Sequence, residues 1–69
     1  MSEYVKNIVS DLRKEKNVTQ EEFAKAVGIS RQTVIAIEKG NYVPSLLLGL
    51  KIALFFKKSI NEIFMYYEK

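Results

Sequence analysis

The 69-residue chain contains no cysteine and no histidine. Without cysteine, neither a disulfide nor a thiolate-held zinc can staple the fold. Without histidine, the commonest general base and metal ligand is missing, along with every triad built on it. A carboxylate or lysine enzyme remains chemically conceivable, but no group of residues prepares a pocket for one. No metal or cofactor is expected. The opening MSEYVKN lacks the apolar stretch of an export signal. The greasiest run, residues 46–56, is broken by Gly49 and Lys51 and is too short to cross a bilayer. The reading is therefore a cytoplasmic protein with no membrane partner. Repeats, linkers and low-complexity runs are also lacking.

What is present fits one domain spanning 1–69. A chain this short has a marginal core unless it associates. The formal net charge is +3, unevenly spread. Residues 1–29 carry five basic and five acidic groups. Residues 30–58 carry five basic groups (Arg31, Lys39, Lys51, Lys57, Lys58) against a single acid, Glu38. That excess suits a polyanionic partner.

The organising stretch is Thr19–Gly40, TQEEFAKAVGISRQTVIAIEKG. Thr19 followed by Glu22 fits a capping box and starts a helix at Gln20. Phe23, Ala24 and Val27 share one face of it. Gly28 suits a left-handed helix end. Ile29 is apolar inside the turn, so the turn packs inward. Ser30 is an N-cap for a second helix, with Val34 and Ile37 inward and Gly40 closing it. Helix, glycine-centred turn and helix make a helix-turn-helix, about 20–39, whose second helix enters the DNA major groove. Arg31 can contact guanine bidentately and Gln32 adenine, while Thr33 can hydrogen-bond or touch a thymine methyl. A plain helical hairpin with a polar face is the alternative; the joint occurrence of caps, turn and apolar pair is more restrictive.

The stretch closely resembles the Cro/CI-type helix-turn-helix regulators, the XRE family. The matching residues are Thr19-Gln20, Ala24, Gly28, Ser30-Arg31-Gln32-Thr33, Ile37-Glu38 and Gly40, continuing through Tyr42-Val43-Pro44-Ser45-Leu46, Lys51-Ile52-Ala53 and Asn61-Glu62-Ile63-Phe64. The match runs from about Val9 to Phe64. It implies an all-α, compact five-helix Cro/CI repressor-like fold of the short stand-alone kind. It also implies a structural ion pair, Arg13 with Glu38. Gln20 would meet a DNA phosphate and brace the side chain of Gln32. The DNA-binding set is then Thr19, Gln20, Ser30, Arg31, Gln32, Thr33, Ala36, Lys39, Asn41 and Tyr42, with Lys39, Asn41 and Tyr42 beside the groove. For Tyr42, simple packing over the loop is an equal reading.

Around this stretch, residues 5–16 read as the first helix, with Val5, Val9 and Leu12 buried and Ile8 at the margin. A fourth helix, about 46–56, is capped by Ser45 and reads as burying Leu46, Leu50, Ala53 and Phe56. Leu47, Leu54 and Ile35 are extra apolar residues outside the core stripes. A short fifth helix follows Ser59 and contains Ile60, Ile63 and Phe64. The aromatic tail Phe64-Met65-Tyr66-Tyr67 either pairs as a short strand with the N-terminal residues or packs across a dimer interface.

The resulting expectation is a sequence-specific double-stranded DNA-binding regulator, a repressor, acting as a homodimer on a palindromic operator. The fifth helix and tail, 59–69, would form the dimer through Ile60, Ile63, Phe64, Met65 and Tyr66, with Leu54 contributing. Two other readings remain open. One is an antitoxin of the same fold with a protein partner on the Leu47/Leu54 surface. The other is an interaction module that has lost DNA binding, against which Gln20, Arg31 and Gln32 argue.

Overall fold

The structure is a computed structural model, described here for residues 2–69. It consists of strand β1 (Glu3–Asn7), helices α1 (Val9–Glu15), α2 (Gln20–Val27), α3 (Arg31–Glu38), α4 (Leu46–Phe56) and α5 (Ile60–Ile63), and strand β2 (Phe64–Glu68). Five helices enclose one core, and the two strands pair antiparallel into a ribbon at the chain ends. The expected five-helix fold is present, and of the two readings of the tail the strand pairing is the one adopted.

Helices α2 to α5 each have a local reason to begin. Thr19 Oγ1 accepts the Glu22 amide at 3.0 Å while Glu22 Oε1 accepts the Thr19 amide at 2.9 Å. Ser30 Oγ accepts the Thr33 amide at 3.1 Å, and Ser45 Oγ the Leu48 amide at 3.2 Å. At Ser59 the amide and the hydroxyl both donate to Glu62, at 2.8 and 3.1 Å. Each such cap is worth about 1 kcal/mol. Gly28, at φ 76°, ends α2 in the left-handed conformation that costs a residue without Cβ little.

The core decides how these helices lie. Val9, Phe23, Val34, Ile37, Ile52 and Ile63 are fully enclosed. Burying each contributes roughly 1.5–3 kcal/mol, more than a cap. Phe23 on α2 stacks on Phe56 (centroids 5.3 Å apart) and meets Phe55 edge-on at 5.1 Å, which joins α2 to α4.

Three sequence expectations give way. The first helix does not begin at residue 5: Val5 lies in β1 opposite Tyr66, and α1 starts at Val9. Asn7 makes the break, since its Oδ1 accepts the Val9 amide at 3.0 Å and its Nδ2 donates to the Ile37 carbonyl at 2.9 Å. The inward face of α4 is Leu48, Gly49, Ile52, Ala53 and Phe56, whereas Leu46 and Leu50 are 72 % and 48 % exposed. Gly49 lies on the buried face, where α5 packs. A Cβ there would stand 3.0 Å from Ile60 Cδ1, so glycine lets the Ile60 side chain sit close against α4 without shifting. Finally, Ile63 is 0 % exposed and belongs to the core, so its side chain is not free to form an interface.

Candidate nucleic-acid interface

Val34 and Ile37 anchor α3 from within, which fixes which side chains it presents. Arg31 and Gln32 are exposed in its first turn, and Thr33 and Ala36 are half-buried on the adjoining flank. The α2–α3 turn is held by the Ile29 amide bonding to the Ala24 carbonyl at 2.9 Å, with Ile29 packed against the core. Ser30 Oγ lies 2.9 Å from Thr33 Oγ1. The Thr33 hydroxyl is thus engaged with the cap, which favours its methyl for contact with a partner.

Arg31 shares a polar groove with Arg13, Thr19, Gln20 and Glu21. The start of α2 and the start of α3 therefore open onto the same surface. Past the other end of α3, Lys39, Asn41 and Tyr42 are all exposed. The Asn41 amide bonds back to the Ala36 carbonyl at 2.9 Å, which keeps this loop close to α3.

Behind the surface sits a polar knot. Arg13 donates to Glu38 through Nε at 2.7 Å and Nη2 at 3.2 Å, and its Nη1 donates to the Val18 carbonyl at 3.0 Å. Gln20 Nε2 donates to Glu38 Oε1 at 3.1 Å. This differs from the partner implied by resemblance: Gln20 braces Glu38, not Gln32. One carboxylate thereby joins α1, the start of α2 and the end of α3. Burial pushes the Glu38 carboxyl up, but the Arg13 and Gln20 hydrogen bonds and the charges of Arg13 and Lys14 outweigh it and hold the group below the usual carboxylate range. The bond to Glu38 likewise raises Arg13 further above its ordinary value, against the opposing effect of burial.

The residues expected at a dimer interface, the buried Ile63 apart, lie along two adjoining grooves that share Ile60. Leu54 and Ile60 border a groove with Leu50 and Ala53. Phe64, Met65 and Tyr66 border a neighbouring groove with Val5 and Ile60. Leu47 and Leu54 are 67 % and 78 % exposed, while Ile35 is half-buried. Sequence reasoning missed Lys6 and Asn7, which β1 places against Lys39 and Gly40 at the end of α3. Nothing in their immediate neighbourhood of sequence signals this, because the pairing partner of β1 lies at the other end of the chain.

Among the described residues, no helix is long and apolar enough to cross a membrane. The Helix-turn-helix family pattern matches residues 9–63. The chain is 55 % identical over 62 residues to an uncharacterized HTH-type transcriptional regulator of Methanocaldococcus jannaschii, covering 90 % of this chain and 94 % of that one. It is 50 % identical over 60 residues to another from Bacillus subtilis, YgzD, covering 87 % and 91 %. It is 38 % identical over 55 residues to the cryptic phage CTXphi transcriptional repressor RstR of Vibrio cholerae, covering 80 % of this chain and 50 % of that protein. Among solved structures, it resembles the restriction-modification controller protein C.AhdI of Aeromonas hydrophila with a TM-score of 0.72 and 31 % identity, covering 78 % of this chain and 82 % of that one. VanUg, a transcriptional regulator, shares the fold with a TM-score of 0.77 at 21 % identity, covering 100 % and 92 %. With the family pattern spanning most of its length and its two short helices arranged about Gly28, the chain belongs to the helix-turn-helix family of transcriptional regulators, of the Cro/CI or XRE type, and not to a family of enzymes.

Proposed function

We propose that this protein is a sequence-specific repressor that reads the major groove of double-stranded DNA with α3, acting as a homodimer on a palindromic operator. The observation that carries the reading is the way α3 is held. Its Val34 and Ile37 are fully buried, so Arg31 and Gln32 are presented together at its free end. These side chains read bases, with Thr33 and Ala36 on the flank of the helix beside them. Thr19, Gln20, Ser30, Lys39, Asn41 and Tyr42 hold the DNA backbone on either side, which sets register without reading sequence. The name of the Vibrio cholerae relative supports repression. Such a protein works in the cytoplasm, where its DNA is.

One domain of this size covers too little DNA for high specificity, which favours a dimer. The dimer face we assign is the outer side of α4 with the start of α5. Leu46, Leu47, Leu50 and Leu54 are exposed there. The groove between Leu50, Leu54 and Ile60 is also lined by Lys57, Lys58 and Glu62. A two-fold axis through this groove sets the same apolar patch of each copy against the other, as a self-complementary interface requires.

The test is selection from a pool of random duplexes, followed by titration of the enriched sequence with the wild-type chain and with Arg31→Ala. The expected result is an enriched palindrome with half-sites about 34 Å apart, and a substituted chain with relaxed preference at one base pair per half-site. Equal binding to all duplexes, lost steeply with salt, would leave only a non-specific electrostatic interaction.

A further inference from the structure

The ribbon brings a basic group, Lys6, that belongs to neither helix of the motif into one groove with the end of α3. Ser2 and Lys69 exchange both backbone hydrogen bonds, at 3.2 and 2.8 Å, and the Ile8 amide bonds to the Ile63 carbonyl at 3.1 Å. With the register Tyr4 to Tyr67, Val5 to Tyr66 and Lys6 to Met65, the alternation of an antiparallel pair turns the Val5 amide outward on the open edge of β1. That edge forms a groove with the end of α3, lined by Val5, Lys6, Asn7, Glu38, Lys39 and Gly40.

The groove is electropositive. The one acid in its wall, Glu38, has its carboxylate taken up by Arg13 and Gln20. The ribbon's own acids, Glu3 and Glu68, stand opposite each other near its far end, and Glu3 accepts the Tyr66 hydroxyl at 3.2 Å. Among the described residues the only ion pair within 4.0 Å is Arg13 with Glu38, so Lys6 and Lys39 have no carboxylate partner. Lys6 is nevertheless placed: its Nζ lies 5.0 Å from the centre of the Tyr67 ring, which is stacked on Tyr4 at 5.7 Å. The groove is also tied to the reading helix, since Asn7 Nδ2 bonds to the Ile37 carbonyl at 2.9 Å. Lys6 therefore stands at a set offset from α3, on the side where Lys39, Asn41 and Tyr42 are exposed.

We propose that Lys6, together with the outward Val5 amide and Lys39, holds a DNA backbone phosphate lying beyond the stretch that α3 reads. The proposal rests on the DNA-binding reading above and extends the interface to the chain's terminal ribbon. The phosphate would accept from one amide and two ammonium groups, an arrangement that recognises charge and not base identity.

The experiment compares the full chain with Lys6→Ala and Lys6→Arg on the selected duplex, between about 50 and about 200 mM salt. Ethylation of single phosphates maps the contacts. Lys6→Ala is expected to flatten the slope of log affinity against log salt by about 0.9 per protomer, so its deficit relative to wild type shrinks about threefold per protomer across that range. Base preference is expected to stay as it was, and one outlying phosphate should stop mattering. Lys6→Arg should keep the wild-type slope. An unchanged slope with an unchanged ethylation pattern would overturn the proposal. Weaker binding with an unchanged slope and a lowered melting temperature would also overturn it, leaving Lys6 as a brace for Tyr67. A wild-type chain that selects no sequence would bring down the parent reading, and this proposal with it.

Discussion

The exposed edge of α3 carries Arg31 and Gln32, whereas that of α4 carries Leu46, Leu47, Leu50 and Leu54. Both helices bury their other side in the same core. They differ in what they offer outward, and α3 is tied in addition through Glu38 to Arg13 and Gln20. Forked donors suit the edges of bases, which accept hydrogen bonds in fixed directions. Leucines offer no hydrogen bond and gain only by leaving water, which suits a protein surface of matching shape. The contrast matches the proposed division of labour, with recognition on α3 and association on α4, and that proposal can be broken from either side.

The largest effect is expected from α4. Leu54→Asp places a charge in the proposed interface without disturbing the core, because Leu54 is 78 % exposed. Dimerisation should weaken by roughly 3–4 kcal/mol, the scale for an uncompensated buried charge. Sedimentation equilibrium should show a folded monomer. A dimer that survives this change would move the interface away from α4.

Glu38→Ala removes the anchor that joins α3 to α1 and α2 and should cost roughly 2–3 kcal/mol in denaturant unfolding. The same group dictates a pH dependence. Its carboxyl sits below the usual range when folded, so the unfolded chain binds the extra proton. Its contribution to stability is complete above the unfolded carboxyl pKa and falls away as the pH drops through the folded one. Melting curves of Glu38→Gln should be flatter than wild type below about pH 4.5. Equal acid slopes would show that Glu38 is not the responsible group.

Arg31→Ala sharpens the contrast from the other side. It should cost roughly 1–3 kcal/mol on the selected site and relax one base position, with dimerisation untouched. A loss of dimerisation would show that the two helices are not separable. The smallest effect belongs to the local signals. Thr19→Ala should cost about 1 kcal/mol of stability in thermal unfolding, since it deletes the hydroxyl that accepts the Glu22 amide. Because Thr19 also lies in the groove with Arg31, a small uniform loss of DNA affinity should accompany it.

The helix-turn-helix was legible because its signals are short-range. Thr19 reaches Glu22, and Ser30 reaches Thr33, within one turn. Gly28 needs only its own backbone freedom. Legibility failed where the outcome depended on a distant segment. Val5, Val9 and Leu12 recur at helical spacing, yet Val5 pairs with Tyr66 at the far end of the chain. In α4 nearly every position is apolar, so two stripes offset by a few residues fit equally well until Ile60 closes against Gly49. Ile63 reads as one more apolar residue near an exposed tail, and only the packing reveals that it is enclosed.

The sequence by itself determined where the helices of the motif start and stop, which residues line the inward face of α2 and α3, and that Arg31 and Gln32 stand at a helix start. Those features rest on hydrogen bonds and side-chain spacing within one or two turns. Tertiary structure alone decided the rotation of α4, the burial of Ile63, the ribbon, and the approach of Lys6 to Lys39. Each of these joins segments distant in sequence, and the core chose among arrangements that local energies leave nearly equal.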